Sequence, residues 1–451
     1  MKIIIVGVGK VGYSLAANLC AEGHEVTVID NNHRRLEALD EHLNVHTIEG
    51  NAARMDTLAQ ADIDEADLLI AVTEKDELNM VACFMAKSAG AKSTIARVRN
   101  PGYSDFDDTA RLNALGIDML INPEKVTAAE IAKLVAFPEA NYVGYFGGGQ
   151  LQILELNLDE HCHNLNKTLM EIDCPVPCIV VGIEREGKLL IPRGGDCLLP
   201  GDQVLLLAKT RDMHRVENYF NIKRMPSRDV IILGGNLSGY YLADMLEKKG
   251  RRLNVKIMEE DSERCRELAA SLDHTLVINT ENANNSLYED ENVGDCDVFV
   301  AITDDDKENL FAAVLAQSLG TQKIIVQIRG GEYAHVVERV GMDKVVSPSR
   351  LTTDAILSFI NRNRILSLTR FDDSDGQLTE YRVPKTASCV GKSLMQLGFP
   401  KGAIICMLIR GQTHIIPQGS DTIEAGDIAI VFSLPESLES VEELFAPHGD
   451  G

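Results

Sequence analysis

The sequence predicts an α/β protein with two doubly wound parallel sheets, each followed by a small α+β domain. Three observations support this prediction: an apolar strand runs directly into a glycine-rich loop, strand and helix patterns alternate, and the whole plan occurs twice. Alternation is typical of parallel sheets because parallel neighbours need a crossover connection, which is usually a helix.

The first twelve residues contain the strongest local signal. Within Met1–Val6, residues 3–6 are apolar and β-branched, as expected of a strand buried on both faces. Gly7, Gly9 and Gly12 follow in G-x-G-x-x-G spacing: the first permits a tight turn, the second lets a pyrophosphate approach, and the third lets a helix pack closely. A second strand ends at Asp30, which can accept hydrogen bonds from ribose hydroxyls. Together these features predict a nucleotide site on a Rossmann-like sheet.

The composition and net charge argue against two classes of binding partner, nucleic acids and anionic membrane surfaces. A chain of 451 residues with a net charge of −24 lacks the basic face that nucleic acids and anionic membrane surfaces require. No apolar run approaches the ~18 residues of a membrane span, and the chain starts directly in a strand rather than in a signal peptide. We therefore expect a cytoplasmic protein.

The ten cysteines are scattered, which is typical of buried thiols in a cytosolic chain. One cluster, His161-Cys162-His163 followed by Cys174 and Cys178, leaves a soft-metal site as an alternative. Its spacing matches no standard zinc pattern, so we predict no metal site.

The domain plan follows from pattern changes along the chain. A sheet domain over 1–137 ends with a helix near 125–137, and residues 138–150, which end in three glycines, are typical of a linker. A small domain over 140–222 follows. Gly234 then repeats Gly7, 227 positions later, and Lys392–Met395 repeats Lys167–Met170, 225 positions later. We therefore expect a second sheet domain over 228–363 and a second small domain over 365–448.

Each half can assemble an anion and ribose site from its glycine-rich loop and from the carboxyl ends of its strands. For the first half the candidates are Gly7, Val8, Gly9, Lys10, Val11, Asp30, Asn51, Ala52, Thr73, Glu74, Arg97 and Arg99. For the second half they are Gly234, Gly235, Asn236, Leu237, Ser238, Glu259, Asn279, Thr280, Thr303, Asp304 and Arg329. Simple loop hydrogen bonds remain the alternative for Asn51, Thr73 and Thr303.

The two candidate sites differ in chemistry. Asn236 stands at the position of Gly9, where a side chain crowds the approach of a pyrophosphate, and Gln327 replaces Arg97. Asn279-Thr280-Glu281 replaces Gly50-Asn51-Ala52 and adds an acid. We therefore predict that the second site is weaker or takes a different nucleotide.

No catalytic apparatus is visible in the sequence. There is no Gly-Lys-Ser/Thr loop of a P-loop ATPase, and the small domains contain no histidine or lysine placed for proton transfer to a nicotinamide. We predict a non-enzyme. The alternatives are an NAD-dependent oxidoreductase and a nucleotide-sensing scaffold with a non-channel partner.

The paired motifs resemble the RCK (KTN) domain family, which regulates potassium conductance. They are the glycine-rich loop at Gly7, Asp30, Ala71-Val72-Thr73 with Asn79, the Arg97-Val98-Arg99 strand end, and their second copies. This resemblance implies Rossmann-like RCK-N domains, small RCK-C domains, and crossover helices near 125–137 and 352–363 that pair the RCK domains.

The same resemblance implies a regulatory protein rather than an enzyme. NAD+, NADH, ATP and ADP would be effectors. The partners would be further copies in a homo-oligomeric, tetrameric ring of RCK domains and a membrane potassium channel subunit of the TrkH or TrkG type. The ring would sit peripherally on the cytoplasmic face of the membrane.

Overall fold

The computed structural model describes residues 1–104, 109–222, 227–248, 253–281, 287–330, 333, 342, 344–361, 365–370, 376–411 and 413–447. Residues 362 and 363 of the predicted helix 352–363, and residue 448 at the end of the predicted last domain, lie outside this description.

The first unit is a parallel sheet covered by helices. Its strands are β1 (Lys2–Val6), β2 (Glu25–Asp30), β3 (His46–Glu49), β4 (Leu68–Ala71), β5 (Ser93–Arg97) and β6 (Met119–Ile121). Its helices are α1 (Lys10–Ala21), α2 (His33–Asp40), α3 (Met55–Gln60), α4 (Asp76–Ala89), α5 (Pro101–Ser104), α6 (Thr109–Ala114) and α7 (Pro123–Ala136). The strand order is β3-β2-β1-β4-β5-β6. Ile3 and Ile5 enter one core while Ile4 and Val6 enter the other, which explains the unbroken apolar run of β1.

The chain repeats this sheet in its second half. The strands are β12 (Asp229–Leu233), β13 (Asn254–Glu259), β14 (Leu276–Asn279), β15 (Val298–Ala301), β16 (Lys323–Gln327) and β17 (Lys344–Val346). The helices are α9 (Leu237–Lys248), α10 (Ser262–Ser271), α11 (Leu287–Asp290), α12 (Asp306–Leu319) and α13 (Pro348–Asn361). The order β14-β13-β12-β15-β16-β17 matches that of the first sheet, which confirms the predicted fold class.

The last helix of each sheet unit packs on the opposite unit. Ile131 and Val135 of α7 lie in a core with Ile232 of β12. Ile356 and Leu357 of α13 lie in the core beneath β1. Each half is therefore completed by apolar side chains from the other, and the loops at the two sheet edges are held in contact.

The small domains are antiparallel sheets of identical topology. The first contains β7 (Ala140–Phe146), β8 (Leu151–Asn157), β9 (Cys178–Arg185), β10 (Lys188–Leu190), β11 (Gln203–Lys209) and α8 (Met213–Tyr219). The second contains β18 (Ile365–Arg370), β19 (Gln377–Arg382), β20 (Ala403–Arg410), β21 (Thr413–Ile415), β22 (Ile428–Ser433) and α14 (Leu438–Phe445). The orders β10-β9-β11-β8-β7 and β21-β20-β22-β19-β18 correspond strand for strand.

The linker predicted over 138–150 is wrong. Residues Ala140–Phe146 form β7, which pairs with β8. Gly147, Gly148 and Gly149 all have positive φ, between 57° and 85°, and close the hairpin. A glycine run supplies such a turn at no steric cost, so its composition alone did not separate a hairpin from a linker.

The two small domains pack against each other through an apolar face. Phe146, Ile153 and Leu207 from the first lie in one core with Met407 and Phe432 from the second. In the part of the chain that the structure describes, we find no helix with the length and apolar character needed to cross a bilayer.

Candidate functional site

A cavity of about 410 Å³ lies at the carboxyl edge of the first sheet, beside the loop between β1 and α1. Open α/β sheets bind ligands at this edge. Many of the residues predicted from the sequence line it: Gly7, Gly9, Asp30, Asn51, Ala52, Thr73 and Glu74.

The glycines of the first loop meet three different steric demands. Gly7 has φ of +102°, and a Cβ there would lie 2.9 Å from Cγ2 of Thr73. A Cβ on Gly12 would lie 1.9 Å from the carbonyl oxygen of Gly7, so this position requires glycine for close packing. A Cβ on Gly9 would have no heavy atom within 4 Å. Gly9 is therefore the point where the backbone is open to a ligand.

Helix α1 begins beside this opening without a side-chain cap. Its N-cap is Gly9, and no side chain accepts a hydrogen bond from the first turn. The free N–H groups and the helix dipole favour an anion at this end. This local geometry suits the phosphates of a nucleotide.

Asp30 is buried and ties the loop to the end of β2. Its Oδ2 accepts a hydrogen bond from N–H of Val8 at 2.6 Å, and its Oδ1 accepts one from N–H of Asn32 at 2.8 Å. An ionised carboxylate has further lone pairs on both oxygens. Asp30 can therefore orient the loop and still accept a ribose hydroxyl.

Arg97 lies behind the cavity and not on its lining. Its Nη1 donates to the carbonyl oxygen of Thr73 at 2.9 Å, and burial is the main reason that its pKa is lowered. Asn79 braces the same turn, because its Nδ2 donates to the carbonyls of Thr73 and Arg97 at 3.0 and 2.8 Å. In this structure Arg97 supports the β4–α4 loop from within.

The remaining predicted residues of the first half lie around the cavity. Arg99 pairs with Glu124 at the start of α7, with Nε 2.6 Å from Oε1. Val8 and Lys10 line a neighbouring cleft, and Val11 packs against the core under α1.

Two basic residues on the cavity were missed from the sequence. Arg35 and Lys75 both line it and are both exposed. Within the described residues the Arg35 guanidinium has no hydrogen bond or ion pair. A usable signal existed: Arg35 lies in the first turn of α2, directly after the strand that ends at Asp30. A free guanidinium at this place suits phosphate recognition.

A cleft of about 610 Å³ separates the first loop from the second half. Gly9 and Arg35 line both this cleft and the first cavity, so the two spaces meet at the N-terminus of α1. Arg329 and Ser347 line the opposite wall. Lys10 crosses the cleft, with Nζ donating to the carbonyl oxygen of Arg329 at 2.9 Å.

The second half has its own cavity of about 330 Å³ at the equivalent edge. The predicted residues on its lining are Gly234, Asn236, Glu259, Thr280, Thr303 and Asp304. The other predicted residues lie off it: Gly235 donates to Glu259, Leu237 and Ser238 open α9, Asn279 donates to Ser262, and Arg329 faces the cleft.

Asn236 uses its side chain to close the second loop. Its Oδ1 accepts from N–H of Gly239 at 3.1 Å, which occupies a donor at the start of α9. Its Nδ2 donates to the carbonyl oxygen of Ile302 at 2.7 Å and to Oδ1 of Asp304 at 3.2 Å. The backbone N–H groups at the start of α1 have no side-chain acceptor, whereas one of the equivalent N–H groups at the start of α9 is bonded to Asn236.

The histidine–cysteine cluster does not converge. Among the described residues, which include 161–178, no three histidine, cysteine or acidic side chains are placed to hold a metal ion. Cys162 is buried, and burial raises the pKa of Cys178 well above its ordinary value. These thiols are core and loop residues in the structure.

Comparison with known proteins agrees with this duplicated plan. The TrkA-N domain profile matches residues 3–123 and 230–348, and the TrkA-C domain profile matches residues 153–221 and 378–446. Trk system potassium uptake protein TrkA homolog 2 of Methanosarcina mazei is 35% identical over 452 residues, covering 99% of this chain and 100% of that protein.

Two solved structures share the fold over most of the chain. The GsuK channel bound to NAD aligns with a TM-score of 0.64 and 16% identity, covering 99% of this chain and 79% of that one. GsuK bound to ADP aligns with a TM-score of 0.51 and 13% identity, covering 80% and 69%. With two matched domain pairs and a full-length relative, the chain belongs to the TrkA family of Trk system potassium uptake proteins.

Proposed function

We propose that this chain is a regulatory subunit that binds NAD+, NADH, ATP or ADP in its first cavity and thereby gates a membrane potassium channel subunit of the TrkH or TrkG type. The observation that carries the proposal is the uncapped start of α1 at Gly9 beside Arg35, whose guanidinium has no partner among the residues that the structure describes. The family membership and the NAD-bound and ADP-bound GsuK structures support it.

The lining of the first cavity suits the parts of a nucleotide. Asp30 and Asn51 lie where ribose hydroxyls can donate to them. The α1 N-terminus and Arg35 suit the phosphates. In the loop after β4, Lys75 suits a terminal phosphate and Glu74 suits hydrogen-bond donors on a second ring.

The cleft between the halves offers a way to convert binding into a change of shape. A phosphate at Gly9 lies beside Lys10, which otherwise bonds to the Arg329 carbonyl. A ligand shifts the equilibrium between two arrangements by its difference in affinity for them. A nucleotide that draws Lys10 away from Arg329 would favour a different relation between the halves.

Exposed apolar residues on equivalent helices support assembly into a homo-oligomeric, tetrameric ring. Val81 and Phe84 of α4 are 44% and 49% exposed, and Val314, which occupies the place of Phe84 on α12, is 40% exposed. Apolar side chains clustered on a helix surface favour contact with another protein surface. We place this ring on the cytoplasmic face of the membrane, against the channel.

We further propose that nucleotides are effectors and not substrates, so that the chain is not an enzyme. The domain boundaries that go with this proposal are 1–137, 140–222, 228–363 and 365–448. Helices α7 and α13 each pack on the opposite half of the chain, and they join the two sheet domains to each other.

The test is potassium flux into liposomes that contain a channel subunit of the TrkH type together with this chain. We expect ATP, ADP or NADH to change the flux, and NADH absorbance to stay constant during the assay. Liposomes with the channel alone are the control. If no nucleotide changes the potassium flux, gating by nucleotides is contradicted. Steady oxidation of NADH would favour the oxidoreductase alternative.

A further inference from the structure

The second cavity is lined by negative charge. Its polar lining includes Glu259, Glu260, Asp304 and Glu308, and none of the described residues on it is a lysine or an arginine. Asp304 is paired with Arg329, so a phosphate entering this space would meet the negative charges of Glu259, Glu260 and Glu308, which disfavour it.

Two of the four equivalent positions in the first half carry no acid. Asn31 stands where Glu260 stands. Leu78 stands where Glu308 stands. Arg35 corresponds to Arg264, which is not free: its Nε donates to the carbonyl oxygen of Gly235 at 2.7 Å, and its Nη1 pairs with Glu267 at 2.7 Å. The cation that is available to a ligand in the first cavity is therefore committed to the protein in the second.

The backbone donors are also reduced. Asn236 bonds the N–H of Gly239 and holds the carbonyl of Ile302, so its side chain lies where a pyrophosphate would approach the loop. The first-half equivalent, Gly9, leaves that space open. The acidic lining and the Asn236 side chain thus each disfavour phosphate in the second cavity.

The same cavity keeps the features that suit a ring and its sugar. Leu287, Tyr288, Phe311 and Leu315 form an apolar wall. Burial, followed by the charge of Glu308, raises the pKa of Tyr288 to about 12, so this side chain is neutral at physiological pH. Glu259, at the end of β13, has lone pairs that can accept hydrogen bonds from ribose hydroxyls.

We propose that the second cavity binds a nucleoside that carries no phosphate, with its base against the apolar wall and its ribose hydroxyls donating to the carboxylates. This inference deepens the proposed function, on which it rests for treating the sheet edge as a ligand site. The two halves would then sense different ligand classes: phosphorylated nucleotides in the first and nucleosides in the second.

The test uses tryptophan as a local reporter, because the chain contains none. Phe311→Trp reports on the second cavity and Leu78→Trp on the first, each titrated with adenosine, AMP and ADP. In Phe311→Trp we expect adenosine to bind at least about tenfold more tightly than ADP, since the carboxylates repel phosphate. In Leu78→Trp we expect the reverse order.

A second measurement uses the unmodified chain. Equilibrium dialysis in saturating ADP should still retain one equivalent of adenosine per chain. Combining Asn236→Gly and Glu308→Leu with the Phe311→Trp reporter should raise the affinity for ADP about tenfold, because these changes restore the first-half residues.

Equal binding of ADP and adenosine at Phe311→Trp, or no retained adenosine in dialysis, would overturn the inference. Failure of the proposed function is distinguishable, because it would appear as a Leu78→Trp protein that responds to no nucleotide. The response of the second cavity to adenosine is read from a separate reporter.

Discussion

Lys10 and Arg329 join the two halves of the chain through a hydrogen bond of 2.9 Å from Nζ to the carbonyl oxygen. Arg329 continues the connection, with Nη2 2.5 Å from Oδ1 of Asp304, and Asp304 accepts from Nδ2 of Asn236 at 3.2 Å. One path of contacts thus runs from the first glycine-rich loop to the second. A ligand that competes for Lys10 can therefore disturb both loops.

Removing the Lys10 ammonium should uncouple binding from response. For Lys10→Met we expect the nucleotide effect on potassium flux to fall at least about fivefold, because the hydrogen bond from Lys10 to the Arg329 carbonyl is lost. Affinity for ADP, measured by calorimetry, should change much less. Lys75→Met is the matched comparison, since Lys75 lines the first cavity without bonding to the second half within the described residues. It should weaken binding but keep the response per bound nucleotide, and an identical phenotype in both variants would contradict this mechanism.

Arg35 should recognise phosphate directly. We expect Arg35→Ala to weaken ADP binding about tenfold, as for loss of a charge-assisted hydrogen bond, with no change in thermal midpoint. Adenosine binding to the first cavity should be nearly unaffected. Arg34→Ala removes the same charge from an exposed neighbour that is not on the cavity lining. Equal losses in the two variants would mean that net charge, and not contact, is responsible.

Arg97 should be more important for stability than for phosphate contact. Arg97→Ala removes the charge-assisted hydrogen bond to the Thr73 carbonyl, which then keeps only its bond from Asn79. We expect a loss of about 2 kcal/mol in the free energy of unfolding, measured by denaturant titration. The sequence suggested instead that Arg97 or Arg99 holds phosphate. Unchanged stability with a strong loss of ADP affinity would restore that assignment.

Glu380 should make the contact between the small domains sensitive to pH. It is buried, and Oε1 accepts a hydrogen bond from N–H of Gly147 at 2.9 Å. Burial raises its pKa above the ordinary 4.5, against a smaller opposite effect of that bond. An acid whose folded pKa is raised contributes stability below the ordinary value and loses it as pH rises through the folded pKa.

Glu380→Gln should therefore flatten the fall in thermal midpoint as pH rises from 4.5, and should raise the midpoint at neutral pH. Thermal unfolding across this pH range is the measurement. Glu439→Gln, at an exposed position on α14, is the control and should leave the profile unchanged. A profile of Glu380→Gln that overlays the unmodified chain would refute the assignment.

The apolar surfaces of α4 and α12 should be buried in the assembled protein. We expect Phe84→Asp combined with Val314→Asp to reduce the mass measured by light scattering, because a charge is costly in an apolar interface. Met170→Asp changes another exposed apolar residue, 78% exposed, on a small domain. It should leave the mass unchanged. Retention of the full assembly by the double variant would place the interface elsewhere.

The predictions from sequence succeeded where the physical cause is local. The strand before Gly7, the sterically required Gly12 and the acid at the end of β2 depend on neighbouring backbone, so spacing reveals them. The predicted linker at 138–150 failed because a glycine run suits both a hairpin and a flexible segment. Family membership and the duplicated fold are confirmed by comparison.

The sequence by itself determined the duplicated sheets, the small domains and the chemical difference between Gly9 and Asn236. Only the tertiary structure decided that Arg35 lines the first cavity, that Arg97 turns inward, and that Lys10 contacts Arg329. These outcomes depend on contacts between residues far apart in the chain, where packing and competing partners decide which direction a long side chain takes. Such competition between partners produces no repeating pattern of residues, so a single sequence does not reveal it.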